Sequence, residues 1–144
     1  MKKKSREIEV FDMIVGGIGR IFSRPFQKFF LSGRKISWQE VEDEFKRLDG
    51  IMQLGGEAHF RQAVIEADNL LDKVLKSRGA LGKTLGERLK NTENKFNQVG
   101  YQSAWNGHKL RNRIVHEHQF ELLSREAQKA LSNLKNAIKG LIKL

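Results

Sequence analysis

The densest run of residues able to do chemistry is His108-Lys109-Leu110-Arg111-Asn112-Arg113-Ile114-Val115-His116-Glu117-His118. Wound on a helix at about 100° per residue, His108, Asn112 and His116 fall at i, i+4 and i+8 on one face. Arg111 lies about 100° to the side of Asn112, so its long side chain can swing toward the same cleft. Leu110 and Ile114 stack on another face and anchor the helix in a core. One helix then carries a base, a fixed cation and a carboxamide. Histidine moves a proton near neutral pH. Arginine offers a planar fork to a phosphate and to the charge that grows on it in a transition state. Asparagine orients either partner. This set suits phosphodiester chemistry. His108, Lys109, Arg113 and His118 supply further contacts to RNA. The set calls for no metal and no cofactor, and His116 and His118 make a poor metal pair because i and i+2 side chains diverge on a helix.

Arg111-Asn112-Arg113-Ile114-Val115-His116 resembles the signature of the HEPN superfamily: an arginine, a polar residue (often asparagine), a few variable residues, then histidine. The resemblance covers about residues 100–140. It implies a small helical bundle, commonly a dimer, in which the arginine and histidine of two subunits meet in a shared cleft, with Arg111 and His116 as the catalytic pair and Asn112 in support. It further implies metal-independent endoribonuclease activity, and a toxin or defence role with an antitoxin or another protein as partner. Arg113 and His118 satisfy the same spacing, but Arg113 is followed by Ile114 rather than by a polar residue, which favours Arg111. The best-known toxin branch has a tyrosine two residues after the histidine, where its antitoxin attaches AMP. Here that position is His118, and the single tyrosine is Tyr101.

The elements that must hold this cluster are helical throughout. Ser37 with Glu40 three residues later forms a capping box, opening a helix that runs to about Gln53, where Gly55-Gly56 ends it. The next helix spans about Glu57 to Ser77, with a stripe from Phe60 and Val64 to Leu71 and Leu75, and Gly79 follows it. Thr84, paired with Glu87, opens a shorter one. A long helix covers about Asn94 to Gln119, and a last one starts near Ser124 with Ala127, Leu131, Leu134, Ile138 and Leu141 as its buried stripe. Strand-like alternation is absent, so the fold class is all-α, a four- to five-helix bundle over residues 37–144. Asp68, on the same side as Val64 and Leu71, is a candidate to orient the Arg111–His116 cluster, the alternatives being a structural hydrogen bond or a solvent-facing position. His59 and His108 read as surface or capping residues, and Trp105 as a core residue that could also stack a base. Gly82-Lys83-Thr84 lacks the strand and glycine spacing of a phosphate-binding loop.

Residues 1–36 form a basic amphipathic segment set apart from the bundle. It carries nine Lys and Arg against three Asp and Glu, so more than half of the chain's net charge of +10 sits there. Ile8, Phe11, Val15, Ile18 and Phe22 make a helical seam that Gly16, Gly17, Gly19 and Pro25 weaken. It is either a cationic helix on a membrane surface, through residues 6–31, or a helix that packs on the body or on a second copy. No stretch reaches the roughly 18–20 apolar residues of a spanning helix, and Glu7, Glu9 and Asp12 interrupt any signal-peptide pattern. The absence of cysteine removes disulfides and thiolate chemistry and fits a reducing compartment. The expected location is therefore cytoplasmic, with the inner membrane face as a peripheral site, and the basic balance favours a polyanion such as RNA.

Overall fold

The computed structural model describes residues 34–143, and the N-terminal seam and its membrane reading lie outside them. Among the described residues the chain folds into five α-helices and one 3-10 turn. They are α1 (Trp38–Gln53), α2 (Glu57–Ser77), α3 (Leu85–Asn91), the turn Glu93–Lys95, α4 (Gln98–His116) and α5 (Ser124–Ile142). No strand occurs among these residues, and no helix among them is long and apolar enough to cross a membrane.

Local chemistry sets most of the boundaries. The Ser37 hydroxyl accepts from the Glu40 amide at 3.3 Å while the Ser37 amide donates to the Glu40 carboxylate at 2.7 Å, the reciprocal box expected at the start of α1. α2 ends in a Schellman turn: the Gly79 amide donates to the Lys76 carbonyl and the Ala80 amide to that of Leu75. That turn needs a left-handed residue, and Gly79 sits at φ +78°. At α3 the box is displaced by one residue. Thr84 accepts from the Glu87 amide, but the Glu87 carboxylate takes the amide of Lys83 at 2.6 Å.

The motif helix is shorter at both ends than the apolar spacing predicts. Asn97 caps it by accepting from the Gly100 amide at 2.6 Å, and the residues just before form the separate 3-10 turn. It ends at His116, with Glu117 in an extended conformation, so His118 and Gln119 belong to a loop. Periodicity alone could not see that Asn97 competes for the start. α5 begins at Ser124 itself; the cap is Leu123, whose amide donates to Glu126 at 3.1 Å.

α2 is the central element. It packs against α1, α4 and α5, α1 also touches α5, and α3 contacts both α2 and α4. Its middle, Ala63 to Asp68, is buried continuously, which places two carboxylates, Glu66 and Asp68, inside the bundle. The Glu66 carboxylate pairs with Arg47 of α1 and accepts from Gln62 at 2.9 Å. Beside that group, burial pushes the Lys73 ammonium down to about 7, against the opposing pull of Glu44 and Glu66.

α4 and α5 approach closely because Gly107 has no side chain. A Cβ there would come within 3.0 Å of the fully buried Leu134 Cγ and Cδ2. Gly107→Ala should therefore destabilise the bundle. The better helix propensity of alanine returns up to ~1 kcal/mol, while overpacking costs about 1–3 kcal/mol. Urea denaturation followed by circular dichroism should show a lower midpoint; a midpoint at or above wild type would mean that α4 and α5 can move apart freely.

Candidate functional site

α4 turns Ser103, Ala104, Gly107 and Ile114 into the bundle, and that seam fixes its rotation. The same rotation carries His108, Arg111 and Asn112 toward the middle of α2, where Asp68 meets them. Four side chains close a ring. His108 Nδ1 lies 3.0 Å from Asp68 Oδ1 and 3.2 Å from Oδ2. Arg111 Nη1 donates to Asn112 Oδ1 at 3.0 Å. Asn112 Nδ2 lies 3.4 Å from His108 Nε2. Arg111 Nε pairs with Asp68 Oδ2 at 3.5 Å.

The donors and acceptors of this ring leave one consistent assignment. The Asp68 carboxylate only accepts, so His108 Nδ1 carries the proton and donates to it. Arg111 only donates, so it takes the Asn112 oxygen and turns the amide nitrogen toward His108. His108 Nε2 is then the acceptor for that amide. The Asn112–His108 contact is at the long end of hydrogen bonding. Asp68 and Arg111 carry opposite charge, with side chains 4% and 14% exposed. Each is the other's compensation for desolvation.

The structure thus brings together Asp68, His108, Arg111 and Asn112, with Asp68 facing Arg111 at 3.5 Å. It corrects the expectation that His108 is a surface residue: the ring is buried, because it shares the inward face with Asn112 and its Nδ1 proton finds Asp68. His59 Nδ1 lies 2.6 Å from the Gly55 carbonyl in the turn before α2, and it caps no amide of that helix. Trp105 is half-buried and sits edge-on to His108, with ring centroids 6.0 Å apart, and to Tyr101 at 6.2 Å.

His116 stands apart from the ring. It is exposed at the last position of α4, and no side-chain hydrogen bond among the described residues reaches its ring. It lies five positions after Arg111, which puts the two about 140° apart around the helix. Lys109, Arg113 and His118 are also exposed. Arg113 lies 4.1 Å above the Phe120 ring and 3.3 Å from the Glu117 carboxylate. Single-chain geometry therefore gives a fixed arginine–asparagine pair inside and a free histidine at the helix end. Among the described residues no group of three or more His, Asp or Glu is arranged to hold a metal ion.

Two residues that reach this region were not visible as candidates, Glu57 and Arg61 in the first turns of α2. Their i, i+4 spacing is readable as a helix pair, but Arg61 also donates to the carbonyls of Ile114 and Phe120, a contact across more than fifty residues that no local pattern signals. No protein-family model, no curated protein and no solved structure matches this chain.

Proposed function

We propose that this chain is a HEPN-like RNA-acting protein that works as a homodimer and cleaves RNA without a metal. The observation that carries the reading is the split geometry of α4. Asp68 and Asn112 hold Arg111 in place, while His116 is exposed at the helix end on another face. A site that uses both has to draw them from two copies. In the reaction, the His116 imidazole of one copy takes the proton from a ribose 2′-hydroxyl, and the 2′-oxygen attacks the adjacent phosphorus. The Arg111 guanidinium of the other copy meets the charge of the pentavalent transition state. The bond to the 5′-oxygen breaks, that oxygen takes a proton from solvent water while the protonated His116 returns its own to solvent, and a 2′,3′-cyclic phosphate and a free 5′-hydroxyl remain. Lys109, Arg113 and His118 line the approach as phosphate contacts, and a toxin or defence role in the cytoplasm, with a protein partner that restrains cutting, fits this chemistry.

Two measurements test the shared site. Light scattering should report a dimer at micromolar concentration, and a strict monomer at every concentration removes the mechanism. Mixing an Arg111→Ala chain with a His116→Ala chain should restore activity, because the heterodimer keeps one intact Arg111–His116 pair. Statistical exchange then yields about a quarter of wild-type activity. If both parent variants are inactive and the mixture stays silent after subunit exchange, the two residues do not act across an interface.

A second reading has its own observation. Arg111 already pairs with Asp68 and Asn112 and is largely buried, as suits a structural ring in a non-catalytic helical interaction module. In that case the protein holds RNA or a partner protein, and the wild type and its His116→Ala variant bind alike without cutting.

A further inference from the structure

The C-terminal end of α4 leaves carbonyls without helical amides to receive, as every helix does. Here one of them, that of Ile114, accepts from Arg61 Nη1 at 3.2 Å. The same guanidinium reaches past the helix end to the Phe120 carbonyl through Nη2. Glu57 Oε1 holds Arg61 from below, at 2.9 Å from Nε and 2.6 Å from Nη2. That same oxygen accepts from the Leu122 amide at 3.2 Å. The pair thus grips the backbone two residues before His116 and again four and six residues after it. On the opposite flank, the stack of Arg113 on Phe120 braces the same loop. A cation at a helix C-terminus is also favoured by the helix dipole.

We propose that Glu57 and Arg61 are positioning residues that set where the His116 ring is presented to substrate. The inference rests on the reading of His116 as the proton-transfer group. Neither residue touches RNA in this role; they act through the backbone. The hydrogen bond from Arg61, and then that from the Leu122 amide, hold the Glu57 carboxyl below the usual carboxylate range, so the grip is made by the ionised form. An exposed i, i+4 pair alone contributes little. The two long-range carbonyl contacts and the Leu122 amide distinguish this one from surface decoration.

The test uses the full chain with Arg61→Ala, Arg61→Lys and Glu57→Gln. Two readouts are needed, one independent of activity: amide hydrogen exchange at Leu122 with the His116 ring resonances, and kcat and KM on single-stranded RNA. Arg61→Ala should speed Leu122 exchange by roughly tenfold or more and move the His116 resonances. It should lower kcat by between about ten and a hundredfold with KM little changed, as a misplaced catalytic group does. Arg61→Lys should recover part of both, since one ammonium cannot span two carbonyls and a carboxylate. Glu57→Gln should show the smaller form of the same pattern. Unchanged exchange and unchanged His116 signals in a folded Arg61→Ala protein overturn the proposal. If Arg61→Ala does not fold, the same absence of change in Arg61→Lys and Glu57→Gln overturns it. A wild type that never cuts RNA removes the catalytic reading of His116, while the exchange and resonance data still decide whether the pair positions it.

Discussion

His116→Ala should abolish cleavage of single-stranded RNA while leaving the helical signal and the dimer intact. The wild type should cut in the presence of EDTA, because the proposed mechanism routes no step through a metal. DNA should survive, because the attack uses a 2′-hydroxyl. Loss of a positioned acid–base group costs about 10²–10⁴-fold in rate. His116 is exposed at the end of α4 and packs against little, so its removal should barely change stability. Arg111→Ala should lose activity comparably, and Arg111→Lys should rescue poorly because a point charge does not replace the planar fork. Arg111 differs from His116 in one respect: it also compensates Asp68, so its alanine variant should be less stable as well. His118→Ala and Arg113→Ala should be much milder, and they separate this register of the motif from the neighbouring one. A gel that shows wild type and His116→Ala binding RNA equally and neither cutting it would replace the enzyme by a binding module.

Asp68→Ala should be among the most damaging single changes in the bundle, and its effect should appear in stability before activity. The carboxylate is the one anion in the ring. Its loss leaves the Arg111 guanidinium without its buried partner and the His108 Nδ1 proton without an acceptor. Breaking a buried ion pair from one side costs about 3–5 kcal/mol. A small domain has about 5–15 kcal/mol in total, so the variant should unfold at far lower urea. Asp68→Asn should be milder, because an amide oxygen still accepts from His108 while the charge is lost. Removing Asp68 and Arg111 together should cost less than the sum of the single changes, since neither ion is then stranded. Additive losses in that double-mutant cycle would show that the two side chains are separately solvated and that the ring is not a unit.

The amino-acid sequence by itself determined the elements. Ser37 with Glu40, Gly79, Thr84 and the apolar stripes of α2 and α5 act within a few residues of themselves. Caps and amphipathic spacing are local physics, so they are legible in one dimension. The adjacency of Arg111 and Asn112 was legible for the same reason, and so was the inward side of Asp68. Tertiary structure alone decided the partners. His108 is as polar as His116 and stands on the same helix, but one is buried against Asp68 forty residues away and the other is exposed. The difference is set by the rotation of α4, which Gly107 on Leu134 and the rest of the α4–α5 seam fix. The stopping point of α4 was likewise not local, because Arg61 of α2 takes the carbonyls on either side of His116. Burial and long-range hydrogen bonds depend on which surfaces meet, and that choice is made by the summed packing of the helices rather than by any segment within one.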